Sequence, residues 1–458
     1  MKKILLLGNG AREHSIAETF LRSPQKPEIF VVGKTKNPGL AKIATDYLLA
    51  DVCDKEAIRE FANKVKPDFA FVGPEAPIAY GITDMLLEIG IKSASPLQTV
   101  GRLESSKSFT RNLLEKYAID GNPKFKVFFA EDGMMEFLQS LEGNFVVKAD
   151  GLKGGKGVKV SGDHLADTAE GFSYAKECLL ECGKVVIEEK LIGQEFSLMS
   201  FCDGENTKDM PAVQDHKRAF EGDKGPNTGG MGTYSCENHS LPFLTESDLI
   251  KASDITRLVA KALKQETQSH FKGVMYGGFI AVKDGVRLIE YNARFGDPEA
   301  MNVLPLLKSD FVEICESIII GDLNNVKIEF ENKATVCKYA VPNGYPDTAV
   351  KGEKIEVGKM PDGVKVYFGS VDEKEDGLYL AGSRAVAVVG IGDDLASAEK
   401  LAEEGVNLIK GPVFHRKDIG TVELIEKRVE MMKEIRGIRG SCWQRRRYVG
   451  NYWKMDGH

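Results

Sequence analysis

The fold of the middle of this chain is decided by the stretch NFVVKADGLKGGKGVKV, residues 144–160. The apolar runs Phe145–Val147 and Val158–Val160 predict two short strands, and the glycine-rich segment between them predicts a loop. A Walker A loop needs Gly-Lys-Ser/Thr followed by a helix, whereas here Lys156 is followed by Gly157 and a strand. The unit is therefore interpreted as a flexible flap whose backbone amides can close over a polyphosphate.

The flap and its surroundings concentrate cations. Four glycines and two lysines fall within residues 151–157, Lys148 lies on the preceding strand, and Lys107 lies on a helix predicted over Leu103–Tyr117. A glycine-rich hairpin with solvated lysines is the alternative, which this density of lysine and glycine disfavours. The predicted polyphosphate contacts are Lys107, Lys148, Gly154, Gly155, Lys156 and Gly157.

Three regions of different pattern make up the chain, with boundaries near residues 104 and 330. Residues 1–100 alternate apolar strand runs with helical spacing, which predicts an α/β domain built on a parallel sheet. In the middle region, strands such as Val185–Glu188 and Arg287–Asn292 meet through glycine-rich loops, so an α+β arrangement is predicted. After Gly321, short strands and one helix at Leu395–Ile409 predict a small, mainly β domain.

Composition excludes several classes of protein. The 458 residues carry 61 Lys+Arg and 68 Asp+Glu, a formal charge of −7, which argues against nucleic acid as a partner. No run approaches the roughly 18 apolar residues of a spanning helix, so no membrane association is expected. Eight scattered cysteines without zinc-site spacing indicate a reduced, cytoplasmic setting. The basic segment 436–458, which holds Trp443 and Trp453, is interpreted as a tail without assigned function.

A second glycine motif, Gly8-Asn9-Gly10-Ala11-Arg12-Glu13, lies between a predicted strand and a predicted helix. Amides at such a turn and the helix N-terminus can bind an anion. A dinucleotide fingerprint would place a third glycine at Glu13 and an acid at the end of the second strand, where Gly33-Lys34 stands instead. The motif is interpreted as a phosphate site without NAD, with Arg12 as an added cation; a tight turn that binds nothing is the alternative.

The strand Arg287–Asn292 is the candidate metal strand. With a period of two, Glu290 and Asn292 project to one face, and their oxygens suit Mg²⁺. A half-buried strand with a wet polar face is the alternative. The turn 293–299 that follows would place Arg294 beside the metal, where it could clamp a carboxylate.

Three further segments complete the set of candidate sites. The run Val185–Leu191 ends in two acids and could pair its backbone with adenine, with Glu195 reaching ribose, although it could equally be a strand entering a turn. The loop Gln214–Arg218 combines an acid with cations, and Gly225–Gly232 offers exposed amides. No serine or cysteine nucleophile motif accompanies His216, so the nucleophile is expected to come from a substrate.

Read together and in order, these motifs resemble the phosphoribosylamine–glycine ligase family of the ATP-grasp superfamily. The resemblance runs from residue 1 to about 420 and also includes Gly73-Pro74-Glu75-Ala76-Pro77. It implies a Rossmann-like N-terminal domain (1–104) that holds phosphoribosylamine and a two-lobed ATP-grasp domain (105–330) with its flap lobe at about 122–192. A C-terminal domain (331–435) and the basic tail (436–458) follow.

The resemblance also implies the activity and the roles of the residues. The expected reaction is the ATP-dependent ligation of glycine to 5-phosphoribosylamine through glycyl phosphate, giving glycinamide ribonucleotide, ADP and phosphate in purine biosynthesis. A monomer using Mg²⁺ or Mn²⁺ is expected. Catalytic roles fall on Lys148, Asp215 and Arg294, and metal binding on Glu290 and Asn292. ATP binding adds Glu188, Glu189, Lys190, Leu191 and Glu195 to the polyphosphate contacts. Substrate binding falls on Asn9, Gly10, Arg12, Glu13, Gly73, Pro74, Glu75, Asp215, Lys217, Arg218, Gly229, Gly230 and Arg294.

Two departures from the family pattern and three rival functions have to be weighed against this interpretation. Lys190 occupies a hinge position that is often aromatic in the family, and Gly33–Gly39 has a basic start. The rivals are another ATP-grasp carboxylate–amine ligase, an NAD-dependent oxidoreductase, and a nucleotide-binding regulator without catalysis. The loops Asp215–Arg218 and Pro226–Gly232 argue against the first, Glu13 and Lys34 against the second, and the presence of Glu290, Asn292 and Arg294 against the third.

Overall fold

The computed structural model describes residues 1–154 and 157–438. Gly155, Lys156 and all of the basic tail beyond Ile438 lie outside the described residues, so the predictions made for them are not addressed. No helix in the described ranges is long and apolar enough to cross a membrane.

The N-terminal region is a four-stranded parallel sheet covered by helices, which confirms the predicted α/β fold. Its strands are β1 (Lys3–Leu7), β2 (Glu28–Gly33), β3 (Asp46–Leu49) and β4 (Phe69–Val72), in the order β3-β2-β1-β4. Its helices are α1 (Ala11–Leu21), α2 (Pro38–Ile43), α3 (Lys55–Val65), α4 (Glu75–Ala79) and α5 (Ile82–Glu88). Strand β1 is central and buried, so its carboxyl end opens directly onto the turn at Gly8.

The helix predicted over Leu103–Tyr117 is in fact two helices, α6 (Gln98–Ser105) and α7 (Lys107–Lys116). The break is at Ser106, whose backbone is extended and whose hydroxyl accepts a hydrogen bond from the Phe109 amide at 3.2 Å. Serine competes for backbone partners in this way and therefore favours an N-cap over a helix interior. The break places Lys107 in the first turn of α7.

The flap lobe is an antiparallel sheet in the order β5-β8-β6-β7. Its elements are β5 (Phe125–Phe128), α8 (Met134–Gln139), β6 (Phe145–Ala149), β7 (Val158–Val160), α9 (Thr168–Cys182) and β8 (Val185–Glu189). Strands β6 and β7 pair directly across the glycine loop, as predicted. Helix α9 joins β7 to β8 and ends with the helix-like stretch that holds Cys178 and Cys182.

The second lobe is an antiparallel sheet in the order β10-β9-β15-β16. Its strands are β9 (Gln194–Cys202), β10 (Thr207–Asp209), β15 (Gly273–Val282) and β16 (Gly285–Asn292). Between β10 and β15 lie β11 (Gln214–Asp215), β12 (Arg218–Phe220), β13 (Lys224–Asn227), β14 (Gly232–Ser235) and the long helix α10 (Glu246–Thr267), which was not predicted. Helices α11 (Ala300–Val303) and α12 (Phe311–Ile320) follow β16.

The C-terminal region is mainly β, as predicted, with two helices. Its elements are β17 (Ala334–Pro342), β18 (Lys354–Val357), β19 (Val364–Phe368), β20 (Val371–Lys374), β21 (Gly377–Leu380), β22 (Val386–Gly392), α13 (Leu395–Val406), β23 (Ile409–Lys410), β24 (Val413–Phe414) and α14 (Val422–Arg436). The larger sheet runs β11-β14-β17-β22-β19, so two strands from the middle of the chain lie in the C-terminal sheet. Arg436 is the last residue of α14 and pairs with Asp248 at 2.8 Å.

Candidate active site

A buried ion-pair cluster holds Lys148 at the base of the flap. The Lys148 ammonium lies 2.8 Å from Glu188 Oε2 and donates to the Ile289 carbonyl at 3.0 Å. Arg111, on α7, binds the same carboxylate with both Nε (2.6 Å) and Nη2 (2.9 Å). Burial alone would raise the pKa of Glu188, but the charges of Arg111 and Lys148 outweigh it and hold that pKa below its usual value. Glu188 therefore stays ionised and joins three elements, β8, β6 and α7.

An irregularity in β16 supplies the carbonyls that this cluster uses. The pairing with β15 shifts between Gly278, opposite Glu290, and Phe279, opposite Leu288, so Ile289 is an extra residue. A bulge leaves backbone groups free of the ladder. Arg111 donates to the Leu288 carbonyl at 2.9 Å and to the Ile289 carbonyl at 2.7 Å. Because the bulge changes the alternation, Ile289 and Glu290 are both only half-buried, whereas Leu288 and Tyr291 are buried.

The flap is tied to α7 at its first residues. Asp150 accepts from the Ser108 amide at 2.9 Å and pairs with Lys184 at 2.6 Å. Lys107 donates to the Gly151 carbonyl at 2.8 Å. The predicted contacts Lys107, Lys148 and Gly154 therefore lie at the same end of the flap lobe, while Gly155 and Lys156 are outside the described residues.

A pocket opens between β9, β11 and the bulged end of β16. Its lining residues are Glu195, Phe196, Ser197, Asp215, Lys217, Tyr276, Gly278, Phe279, Ile289 and Glu290. The pocket unites predictions that are far apart in the chain: Glu195, Asp215, Lys217 and Glu290. Lys217 Nζ lies 3.4 Å from Glu195 Oε2, and this carboxylate raises the pKa of Lys217.

Glu290 is ionised although it lies in this crowded pocket. Burial would raise its pKa, but the charges of Lys217 and Lys148, with Lys107 and Arg294, outweigh that effect and lower it. Asn292 projects from the same strand two residues further on. Among the described residues no group of three or more His, Cys, Asp or Glu side chains is arranged to hold a metal ion. One carboxylate and one amide oxygen are hard donors that suit Mg²⁺ when a ligand such as a polyphosphate supplies the rest.

Two carboxyl groups, the half-buried Asp215 and the buried Glu299, form the acidic side of the site. Burial and the neighbouring Glu299 raise the pKa of Asp215 well above its usual value, and burial also raises the pKa of Glu299. Glu299 accepts a hydrogen bond from the Tyr276 hydroxyl at 2.8 Å. The effect of Glu299 on the pKa of Asp215 indicates that the two carboxyl groups adjoin each other in the site.

Arg294 lies opposite, held between two other carboxylates. Its Nη2 is 2.9 Å from Glu104 Oε1 and its Nε is 3.4 Å from Glu75 Oε2. The Nε–H is buried and makes no hydrogen bond within the described residues. The 15% exposure of the side chain leaves Arg294 accessible to a further anion.

The N-terminal turn is built around Glu13 rather than around open amides. Glu13 accepts from the Gly10 amide at 2.7 Å and pairs with Arg12 Nε at 2.6 Å, and both side chains are buried. Arg12 also donates to the Phe295 carbonyl at 3.2 Å. A Cβ at Gly73 would lie 2.2 Å from Glu13 Oε1. The glycine at position 73 is therefore required by the Glu13 side chain, which fills the space that a third fingerprint glycine would leave open.

Two residues predicted to lie at the adenine end, Glu189 and Lys190, make hydrogen bonds with other parts of the protein. Glu189 Oε1 accepts from the Lys124 amide at 2.7 Å, and Lys190 Nζ donates to the Ser161 carbonyl at 2.7 Å. His216, considered as a base, is 2% exposed; its Nδ1 faces the Gly232 carbonyl at 3.2 Å, and burial lowers its pKa to about 3. A neutral, enclosed imidazole of this kind is structural.

Sequence reasoning missed four residues that shape the site: Arg111, Glu104, Glu299 and Arg384. Glu299 stands within the turn 293–299, which was identified as part of the site, so its motif carried the signal. The other three are single charged residues on elements whose sequences show no motif, and only their tertiary partners identify them.

Comparisons with known proteins agree with this geometry. The chain matches the phosphoribosylglycinamide synthetase N domain over residues 2–104, the ATP-grasp (A) domain over 105–300 and the C domain over 335–422. It is 49% identical over 445 residues to a phosphoribosylamine–glycine ligase of Methanocaldococcus jannaschii, covering 95% of this chain and 100% of that protein. The corresponding ligase of Methanosarcina barkeri is 47% identical over 435 residues, with the same coverage.

Solved structures show the same fold. A phosphoribosylamine–glycine ligase from Thermotoga maritima superposes with a TM-score of 0.75 at 28% identity, covering 91% of this chain and 99% of that one. The biotin carboxylase domain of a Hydrogenobacter thermophilus 2-oxoglutarate carboxylase, solved with ADP, superposes with a TM-score of 0.70 at 14% identity, covering 94% of each chain. The second likeness concerns the fold alone.

Proposed function

Since the chain belongs to the phosphoribosylglycinamide synthetase family, and is therefore a ligase of purine biosynthesis that joins glycine to phosphoribosylamine, we propose how its residues divide the reaction. The observation that carries the proposal is the single pocket in which Glu195, Asp215, Lys217 and Glu290 meet. Lys148 and Arg294 are close enough to lower the pKa of Glu290. Nucleotide, metal and acid sites therefore adjoin one another.

ATP binds between the lobes, with its triphosphate under the flap. Lys107, Lys148 and the loop Gly154–Gly157 face the phosphates, the backbone at Glu188–Leu191 faces adenine, and Glu195 faces ribose. The ion pair of Glu188 with Arg111 supports this assignment. Because Glu188 carries one negative charge and pairs with two cations, it does not fully neutralise Lys148, which can still attract the phosphates.

Glu290 and Asn292 hold the divalent ion, Mg²⁺ or Mn²⁺, together with phosphate oxygens. When bound, the ion supplies neutralisation of charge on the transferring phosphoryl group. The low pKa of Glu290 supports this role because a ligand must be ionised.

Glycine lies between the cationic and acidic sides of the site. Arg294, whose side chain is 15% exposed, binds the glycine carboxylate, and Asp215 and Glu299 bind the ammonium group. Lys217, Arg218 and the loop at Gly229 and Gly230 close the remaining sides. This arrangement orients a carboxylate oxygen of glycine toward the γ-phosphorus.

The chemistry needs no protein nucleophile. A carboxylate oxygen of glycine attacks the γ-phosphorus and ADP leaves, forming glycyl phosphate. The amine of phosphoribosylamine then attacks the glycyl carbonyl carbon, and the carbon–oxygen bond to phosphate breaks as the amine loses a proton. Positioning and electrostatic stabilisation supply the rate enhancement.

Phosphoribosylamine approaches from the N-terminal sheet. Its predicted contacts are Asn9, Gly10, Arg12, Glu13, Gly73, Pro74 and Glu75. Burial would raise the pKa of Glu75, but Arg294 and Arg12 lower it, so this carboxylate adjoins both substrate sites. We place the enzyme in the cytoplasm as a monomer; its charge of −7 and the seven unpaired cysteines of the described residues support the location.

Phosphorylation of the glycine carboxylate is tested with glycine carrying ¹⁸O in both carboxylate oxygens. The proposal expects one labelled oxygen in each phosphate released, because the carboxylate oxygen leaves with phosphorus. Phosphate without label, formed at the rate of product, would show that glycine is not the group phosphorylated. Unlabelled glycine in ¹⁸O water is the control for exchange.

A further inference from the structure

Arg384, a residue of the C-terminal region, reaches the acid site from outside the ATP-grasp lobes. Its Nη1 donates to the carbonyls of Gly229 at 2.7 Å, of Gly230 at 3.1 Å and of Asp297 at 3.0 Å. Its Nη2 lies 3.2 Å from Asp297 Oδ1, and its side chain is 15% exposed. One guanidinium therefore joins the loop 228–232 to the turn 296–299.

The loop 228–232 in turn holds the segment 215–217, which runs from the end of β11 to Lys217. The Thr228 amide donates to the Lys217 carbonyl at 2.7 Å, and the Met231 amide donates to the His216 carbonyl at 2.8 Å. The contacts form a continuous path from Arg384 through the loop backbone to the segment that lines the pocket.

Close packing leaves this loop little alternative geometry. A Cβ at Gly230 would lie 2.7 Å from Pro298 Cδ and 2.8 Å from Asp215 Oδ1, and Gly230 has a φ of +110°. The loop backbone therefore covers Asp215, and only glycine fits at position 230. The Arg384 guanidinium also packs against this loop, with Nη1 3.4 Å from a Cβ placed at Gly230, and it lies 4.7 Å from the centre of the Tyr339 ring.

Tyr339 completes the anchor. Its hydroxyl donates to Asp297 Oδ1 at 2.8 Å, so the carboxylate that pairs with Arg384 is itself fixed to β17. Arg384 makes five contacts, four of them with buried or half-buried residues, and these give the C-terminal sheet a hold on the acid site.

We propose that Arg384 is a positioning residue for the acid substrate: it fixes the loop 228–232 and thereby the distance of Asp215 and Lys217 from bound glycine. This inference rests on the proposed function for the identity of the ligand. The C-terminal region then determines affinity for glycine without touching it, and its one described link to the nucleotide end is the exposed pair of Lys217 with Glu195, so the effect on ATP is expected to be smaller.

The test compares Arg384→Met and Arg384→Lys with Val388→Ala, a fully buried residue of β22 in the same sheet. Val388→Ala controls for loss of stability in the C-terminal sheet, because it leaves the loop contacts in place. The measurements are the KM values for glycine and ATP and the hydrogen exchange of amides in 215–218 and 228–232.

For Arg384→Met the expected result is a glycine KM raised by about tenfold or more, the factor for losing one charged hydrogen bond, with faster exchange in both segments. The ATP KM stays within about twofold. Arg384→Lys restores part of the glycine affinity, and Val388→Ala changes neither constant. Should Arg384→Met fail to fold, Arg384→Lys carries the same comparison with a smaller effect.

Unchanged glycine KM and unchanged exchange in a folded Arg384→Met variant would overturn the inference, as would an equal rise of both KM values or the same effect in Val388→Ala. Exchange is measured without substrates. Faster loop exchange in an enzyme whose wild type does not turn over glycine would therefore contradict the proposed function and leave the structural role of Arg384 standing.

Discussion

Glu290 is half-buried and yet has a lowered pKa, a combination that requires nearby positive charge. The cations that produce it, Lys217 and Lys148 foremost, converge from different elements on one carboxylate. A carboxylate arranged in this way has charge to share with a metal ion and cannot be replaced by its neutral isostere. Substitution of Glu290 is for this reason the most direct test of the proposed metal site.

Glu290→Gln is expected to lower kcat by about 100-fold or more at saturating Mg²⁺, since a preorganised charge beside the transferring phosphoryl group is lost. The unfolding midpoint should change little, because the amide keeps the shape of the side chain. Steady-state ADP formation and thermal unfolding of both proteins measure the two effects. Asn292→Asp, which keeps an oxygen donor, should retain more activity than Glu290→Gln; a fully active Glu290→Gln would remove Glu290 from the metal site.

A single residue of the site could be predicted where it belongs to a recognisable motif. It could not be predicted where its role depends on a partner far away in the chain. Glu290, Arg294 and Asp215 were identified from strand period and from charge within short loops. Arg111 and Arg384 were not, because their significance is set by Glu188, 77 residues away, and by Gly229, 155 residues away. A lone arginine in a sequence has no local pattern that distinguishes a buried anchor from a solvated charge.

At the scale of the element, the turn between β1 and α1 shows how a motif can be recognised while its packing is not. The sequence predicted the strand, the turn and the helix. The buried Glu13, which binds the Gly10 amide and packs against Gly73, lies in space that only the juxtaposition of β1, α1 and β4 creates.

Gly73→Ala is expected to lower the free energy of unfolding by about 1–3 kcal/mol, because a methyl group would overlap the Glu13 carboxylate. Urea-induced unfolding measures the loss. If the overlap is the cause, the double variant Gly73→Ala, Glu13→Ala should be less destabilised than the sum of its single variants. Additive losses would contradict this explanation.

At the scale of the whole molecule, local patterns predicted three regions but not how they share sheets. Short apolar runs predicted a parallel sheet in the N-terminal region, although β3 was not among the strands identified. Strands β11 and β14 belong by sequence to the middle region, yet they extend the C-terminal sheet by pairing with β17. Such long-range pairing depends on edge complementarity that periodicity does not express, and it brings Arg384 to the acid site.

The regions also meet at His14, whose neutral form the interface requires. His14 Nδ1 accepts a hydrogen bond from the Phe368 amide at 3.1 Å, and burial lowers the pKa of His14 from 6.5 to about 4. Between those two values the unfolded chain binds a proton that the folded chain does not. Stability from this group is therefore complete above pH 6.5 and is lost as pH falls toward about 4.

In the His14→Gln variant the unfolded chain no longer binds this additional proton. The free energy of unfolding should therefore fall less steeply as the pH is lowered from 6.5 to about 4, by about 1.4 kcal/mol per pH unit. Urea titrations at several pH values from 7 to 4 measure the slope, and the unmodified protein is the reference. An identical slope in the two proteins would show that His14 is not kept neutral by folding.

The most direct measurement of the central claim is ADP formation with MgATP, glycine and phosphoribosylamine, omitting each substrate in turn and generating the labile amine within the assay. The account predicts ADP and glycinamide ribonucleotide in equal amounts when all three substrates are present, and neither when any one is left out. ADP formed at the full rate without phosphoribosylamine, or no ADP under any combination, would contradict the assignment of the N-terminal site and of the ligase reaction built on it.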